Sequence, residues 1–277
     1  MPDRIRVACV QLSSGRDKAA NLERAEALVA RAASTGADVV VLPEKWNAVG
    51  GPDDYRAAAE PLEGGESVAA MAGWARTLGV ALVGGSITEL REGREKLSNT
   101  SCVFDAAGAL VAAYRKIHLF DVEVGGRVYR ESEVEEPGTE PVVADVEGWR
   151  VGLSVCYDVR FPELYRLLAV DGAELVTVPA NFTAVTGRDH WHVLLRARAI
   201  ENQLYVAAAA QVGDAAYGRS LVADPWGTVL AQAPDEETVV VAELDLARLR
   251  RIRADLPSLA NRRLDIGSWK SSSRAGG

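Results

Sequence analysis

The chain has 277 residues, 48% apolar, 6% aromatic and 25% charged, and its 31 Lys and Arg against 39 Asp and Glu give a formal charge of −8. That balance, with a pI near 5.1, excludes the positive field that nonspecific binding to nucleic acid or to an anionic membrane surface requires. No stretch reaches the roughly 18 uncharged apolar residues that cross a bilayer, and the N-terminus lacks the apolar core of a secretion signal, so a cytoplasmic protein is expected. Cys9, Cys102 and Cys156 are odd in number and far apart, which fits reduced thiols and neither a disulfide framework nor a zinc site.

Apolar, β-branched runs bounded by turn residues predict strands at 5–11, 38–42, 80–83, 101–104, 110–114, 151–155, 175–178, 205–211, 220–223 and 238–244. Most are continuous rather than alternating, the mark of strands buried on both faces. Helical periodicity is read at 19–33, 67–78, 161–170, 191–202 and 246–253, with Leu22, Ala25, Val29 and Ala32 on one face of the first. The segment Ile5-Arg-Val-Ala, a helix and Gly36-Ala-Asp-Val-Val-Val-Leu-Pro43 is echoed by Trp149-Arg-Val-Gly, a helix and Gly172-Ala-Glu-Leu-Val-Thr-Val-Pro179. Each copy reads as a β-α-β unit, whose crossover makes a parallel, right-handed pair. Two related halves of this kind predict an α/β fold in which two sheets pack face to face with helices outside, in one domain over residues 1–265 with a C-terminal tail over 266–277.

Ligands of parallel sheets bind at the carboxyl ends of strands, and three reactive side chains stand there. Glu44 follows Val41-Leu42-Pro43, Lys116 follows Ala113-Tyr114-Arg115, and Cys156 follows Val151 to Val155. A carboxylate, an ammonium and a thiol are the parts of a nucleophilic hydrolase in which Glu serves as base. Pro162, near the start of the helix after Cys156, makes the sharp turn that exposes a nucleophile and aims backbone N–H groups at its substrate. The bland reading of a lone cysteine is a small buried hydrophobe, and Cys9 and Cys102, inside apolar strands, take that reading. Glu44 and Lys116 have a bland reading as one structural ion pair. His190 is the histidine best placed for a Cys/His mechanism, but nothing in the sequence pairs it with an Asn or Asp. Phosphate chemistry lacks its glycine-rich loops.

Leu42-Pro43-Glu44, Tyr114-Arg-Lys-Ile-His-Leu-Phe120 and Gly152-Leu-Ser-Val-Cys-Tyr-Asp-Val-Arg-Phe-Pro-Glu-Leu164 resemble the three signature segments of the nitrilase superfamily of carbon–nitrogen hydrolases. The resemblance implies a four-layer α-β-β-α sandwich, a Glu44-Lys116-Cys156 triad, an additional site glutamate at Glu131, no metal or organic cofactor, and a homodimer or higher homo-oligomer. Thr186-Gly187, His190-Trp191, Leu194 to Gln203 and Asp224-Pro-Trp-Gly227 look most like the branch of deaminated-glutathione amidases and ω-amidases. Arg188-Asp189, Asn181 and Arg219 depart from that pattern.

The expected function is therefore a cysteine amidase that releases ammonia from a small carboxylate-bearing amide through a thioester. Deaminated glutathione comes first, 2-oxoglutaramate second, and a nitrile or aliphatic amide after them. A catalytically silent binding protein of the same fold is the reading from another class, and the intact Glu, Lys and Cys weigh against it. Tyr157, whose backbone N–H joins Lys116 as oxyanion donor, Arg160, Asn181, Phe182, Thr183 and His190 are the expected substrate-binding residues, with Arg160 and Arg188 as candidate partners for the carboxylate.

Overall fold

Valine- and alanine-rich runs without polar alternation need cover on both faces. In the computed structural model, which describes residues 2–264, two stacked sheets with outer helices supply it. The first half runs β1 (Arg4–Gln11), α1 (Lys18–Ser34), β2 (Val39–Val41), α2 (Pro52–Ala58), α3 (Glu66–Leu78), β3 (Ala81–Val83), β4 (Ile87–Glu89), β5 (Ser98–Phe104) and β6 (Leu110–Arg115). A hairpin follows, β7 (Asp121–Val124) and β8 (Arg127–Arg130). The second half runs β9 (Val143–Val146), β10 (Trp149–Leu153), α4 (Pro162–Val170), β11 (Leu175–Thr177), α5 (Ala184–Asn202), β12 (Tyr205–Ala208), β13 (Leu221–Ala223) and β14 (Val229–Gln232), and β15 (Thr238–Asp245) and α6 (Leu246–Asp255) close the chain. The tail expected over 266–277 lies outside the described residues.

The expected repeat is present in the pairing. β1 and β2 are parallel, as are β10 and β11, and β3 and β12 each add a third parallel strand. Beyond them β5 and β13 run antiparallel, followed by antiparallel β6 and β14, while β15 on β1 matches β9 on β10. Alternate residues of the first sheet divide between two cores. Val7, Cys9, Val39, Val41, Ala81 and Val83 share a buried cluster with Val151, Leu153 and Val206 of the second sheet. Ala8, Val10, Val40, Leu42 and Leu82 pack instead under Val29 and Ala32 of α1 and Met71 and Trp74 of α3. Cys9 and Cys102 are fully buried, one in each cluster, and burial pushes both thiols up to about 12, so they are inert hydrophobes as expected.

The sequence reading of ten strands and five helices is short of the 15 strands and six helices among the described residues. The omitted α2, β4, β9 and β14 have only three to seven residues each, too few for a periodic signal. The hairpin strands Asp121–Val124 and Arg127–Arg130 are polar and solvent-facing, but Gly125 and Gly126 between them both have positive φ, 58° and 72°. That is the backbone of a two-residue turn with right-handed strand twist, and Gly-Gly was the available signal. α5 starts at Ala184 rather than Trp191, because helix-poor Thr186 and Gly187 are held by packing of Gly187 against the Tyr217 ring.

Two devices fix the strand ends that carry reactive groups. β3 and β4 lie end to end along one edge of β5, separated by Gly84-Gly85-Ser86. Gly85 has φ +59°, and a Cβ there would stand 2.0 Å from the Pro43 carbonyl oxygen, so the turn before Glu44 packs on bare backbone. Across the two sheets, buried Asp158 gathers four donors. Its Oδ2 accepts from Val155 N at 2.9 Å and Tyr114 Oη at 2.7 Å, and its Oδ1 accepts from His118 N at 3.1 Å and lies 2.7 Å from His118 Nδ1. The segment carrying Lys116 is thereby tied to the turn carrying Cys156.

Gly85→Ala is expected to lose about 2–4 kcal/mol of stability through strain and backbone collision, read from urea unfolding; a loss below 1 kcal/mol would show that the turn yields. Asp158→Asn turns one acceptor oxygen into an NH2 facing existing donors. It should cost about 2–3 kcal/mol in the same assay, and an unchanged midpoint would remove Asp158 as the tie between the segments.

Candidate active site

Glu44 leaves β2 after Pro43 and is 3% exposed. A carboxylate so placed needs partners, and it has them. Its Oε1 accepts from Lys116 Nζ at 3.0 Å and Asn99 Nδ2 at 2.9 Å, and its Oε2 accepts from Asn181 N at 2.8 Å. The Asn99 carbonyl oxygen also accepts from Lys116 N at 2.8 Å, extending the β5–β6 ladder past the end of β6. One residue of β5 thus sets the separation of Glu44 and Lys116.

Lys116 is buried between two carboxylates. Its Nζ donates to Glu131 Oε2 at 2.8 Å and Oε1 at 3.1 Å as well as to Glu44. Burial alone would drive the ammonium down, but Glu131 and then Glu44 outweigh it and hold the group well above the usual lysine range. Glu131 opens a short 3₁₀ turn after β8 and accepts from Phe120 N at 2.7 Å. Burial would raise its carboxyl, but Lys116 and Lys45 bring it down to about 2.

Cys156 opens a 3₁₀ turn, Cys156–Arg160, three residues beyond the last residue of β10. Its φ of +48° is uncommon for a side-chain-bearing residue, and its N–H donates to Pro179 O at 2.8 Å, which anchors the turn to the end of β11. Burial first, and the Glu44 charge next, push its thiol well above the usual range, with Lys116 acting in the opposite direction. A thiol held up in this way needs a base before it can attack a carbonyl, and Glu44 is the carboxylate whose charge bears on it most. The Tyr157 N–H has no acceptor among the described residues and remains available to an incoming oxygen.

Glu44, Lys116, Glu131 and Cys156 converge on one cavity of about 530 Å³. Tyr157, Arg160, Asn181, Phe182 and Thr183, expected from the sequence to bind substrate, also line it. Asn181 serves twice, since its backbone N–H also holds Glu44. His190, also expected to bind substrate, does not line the cavity. It is exposed and lies inside α5, where its Nδ1 is 3.1 Å from Arg160 Nη1. Arg188 and Asp189 are exposed and outside the wall, and Arg219 pairs with Asp235 at 2.6 Å.

The wall also holds residues that sequence reasoning missed: Lys45, Tyr55, Phe120, Tyr129 and Glu135. Lys45, next to Glu44 in the chain, was the one with a signal. The Asp158–His118 contact is the Asp–His pair that a Cys/His mechanism would use, yet His118 is outside the wall and its ring stacks on Phe161 at 3.6 Å. The cavity geometry thus joins the thiol to a carboxylate and an ammonium.

Comparison with known proteins bears on the family and the fold. A family model described as carbon-nitrogen hydrolase matches residues 6–254. The omega-amidase NIT2 of Danio rerio is 42% identical over 274 residues, covering 97% of this chain and 98% of its own. The human omega-amidase NIT2 is 40% identical, covering 94% and 96%. Among solved structures, Nit3 of Saccharomyces cerevisiae, a member of branch 10 of the nitrilase superfamily, superposes with a TM-score of 0.86 at 38% identity, covering 94% of this chain and 97% of that one. An amidase from Nesterenkonia sp. AN1, in complex with acrylamide, gives 0.80 at 29% identity and 95% of each chain. The chain belongs to the carbon–nitrogen hydrolase family of the nitrilase superfamily, hydrolases of carbon–nitrogen bonds other than peptide bonds.

Proposed function

We propose that the protein is a cysteine ω-amidase that hydrolyses the terminal amide of a short dicarboxylic acid. Glu44 takes the Cys156 proton, and the thiolate attacks the amide carbon. The Lys116 ammonium and the Tyr157 N–H bind the oxyanion of the tetrahedral intermediate. Glu44 passes its proton to the departing ammonia, leaving a thioester. It then draws a proton from water, which attacks the thioester; as the C–S bond breaks the acid leaves and Glu44 returns that proton to the Cys156 sulfur, while Glu131 keeps Lys116 in place.

The observation that carries the substrate class is Arg160. Its guanidinium lines the same cavity as Cys156, and its polar side-chain partner among the described residues is His190 rather than a carboxylate. The ring of Phe182 lies 5.0 Å beneath it. A half-buried guanidinium without a carboxylate is equipped to take one from the substrate through paired hydrogen bonds. The relatives named omega-amidase NIT2 support the ω-amidase reading, so this proposal takes 2-oxoglutaramate first and deaminated glutathione second, the reverse of the order read from the sequence. The cavity of about 530 Å³ exceeds what a five-carbon monoamide fills, which keeps the longer acyl-peptide as the second reading.

Two expectations from the sequence belong with this proposal. Val193 and Ile200 stand exposed seven residues apart on α5, and Ile200 packs near Gly227, next to exposed Trp226; such an apolar face suits a second copy of the chain, and sedimentation should give a dimer or higher homo-oligomer. Unpaired Cys9 and Cys102 suit the reducing cytoplasm.

Ammonia release from 2-oxoglutaramate, deaminated glutathione, propionamide and a simple nitrile tests the reading. The two carboxylate-bearing amides should have the highest kcat/KM, and Cys156→Ala and Glu44→Gln should abolish release with the fold intact. Arg160→Met should lower kcat/KM for those two by roughly 10- to 100-fold, the size of lost charge-assisted hydrogen bonds, and leave propionamide nearly unchanged. Propionamide as best substrate would overturn the carboxylate argument, and an active Cys156→Ala would overturn the mechanism.

A further inference from the structure

The ionic contacts do not stop at Glu131. Lys45 places its ammonium 3.7 Å from Glu131 Oε1 and 2.6 Å from Glu135 Oε1. Glu44, Lys116, Glu131, Lys45 and Glu135 therefore form a chain of alternating charge, and all five line the cavity. Glu135 is 1% exposed, and the Lys45 ammonium is the first cation that offsets its charge, with Lys116 farther along the wall the second. Lys45 has φ +50°, left-handed like Cys156, and lies 4.1 Å from the Tyr55 ring centroid. A bulky residue held in that conformation beside a reactive carboxylate marks a constrained site.

Stability is a weak reason for such a pair, since apolar replacements of buried ion pairs are often neutral or stabilising. The geometry gives another reason. Without Lys45, Glu131 and Glu135 would face each other as like charges in a buried wall, and one of them would take up a proton. We infer that Lys45, anchored by Glu135, is a positioning residue that keeps Glu131 ionised and turned toward Lys116, so that the Lys116 ammonium stays aimed at the reacting carbonyl. The inference rests on the triad reading of Glu44, Lys116 and Cys156. The charged and titratable groups that bear on Lys45 are Glu135, Glu131, Tyr55 and Glu44, with Lys116 and Cys156 next along the wall. Burial holds the Glu135 carboxyl above its usual range even with Lys45 beside it, so this end of the chain responds first when a cation is lost.

The test is the pH profile of kcat/KM on the best amide. Lys45→Met removes a positive charge from the carboxylates, so the acid limb should move up by on the order of one unit, with kcat reduced and KM changed less than about threefold. Lys45→Arg keeps the charge and should keep the limb near that of the wild type. Glu135→Gln removes a negative charge and should leave the limb where it is or lower it. Opposite signs for Lys45→Met and Glu135→Gln separate a charge effect from general damage to the wall. An unmoved limb in Lys45→Met, or a limb raised by Glu135→Gln, would overturn the inference, as would a large rise in KM alone, which would make Lys45 a substrate ligand. If Lys45→Met does not fold, a raised limb in Lys45→Arg or Glu135→Gln is the contradicting result. Cys156→Ala in the same assay keeps the two claims apart, because its activity would sink the triad reading whatever Lys45 does.

Discussion

A buried ammonium is among the more costly groups to place inside a protein, and the site is organised around one. Lys116 keeps its charge because Glu44 and Glu131 approach it from different parts of the chain. Those two carboxylates depend on further contacts in turn. Asn99 and Asn181 hold Glu44, Phe120 N–H and Lys45 hold Glu131, and Asp158 ties the end of β6 to the turn that carries Cys156. The ordering entropy of these polar groups is met by the core on either side, where alternate residues of β1, β2 and β3 fill two apolar clusters. The polar site therefore sits on rigid strand ends, which suits groups that must be held within a fraction of an ångström.

The two halves share a strand pattern but divide the reactive groups unequally. Glu44 follows the second parallel strand of the first half, whereas the matching position after β11 leads to Ala180 and Asn181. Cys156 follows the first parallel strand of the second half, where the first half has Leu12 and Ser13. A repeat of backbone thus brings one set of strand ends together, and the side chains there were free to specialise. This is the general behaviour of open α/β sheets, whose ligands sit at the carboxyl ends of strands.

What the sequence made legible follows from that architecture. Glu44, Lys116 and Cys156 each stand just beyond an apolar run, so a reactive type at a strand end can be read without a structure, and the β-α-β repeat is visible because burial on both faces leaves long valine runs. The supporting contacts have no such pattern. Asn99 and Glu44 are 55 residues apart, and Asp158 and Tyr114 are 44 apart. Ser98, Asn99 and Thr100 read as a polar approach to a strand, yet they are fully enclosed parts of β5, where Asn99 bonds Glu44 and Thr100 bonds Glu89. His190 stands outside the cavity wall because its helix begins seven residues earlier than propensity indicates and carries it to the exposed side. Periodicity reports apolar burial, and it is silent on polar groups buried for their partners.

The central claim is that Cys156 carries the acyl group during turnover, with Glu44 and Lys116 as its base and oxyanion partner. Acid quenching during turnover of saturating 2-oxoglutaramate, with hydroxylamine added in a parallel sample, followed by peptide mapping, tests it most directly. The account expects the substrate's acyl group, less ammonia, on the Cys156 peptide, and the matching hydroxamate in the parallel sample. Ammonia release with the acyl group on Cys9 or Cys102, or with neither an adduct on Cys156 nor any hydroxamate, would contradict it.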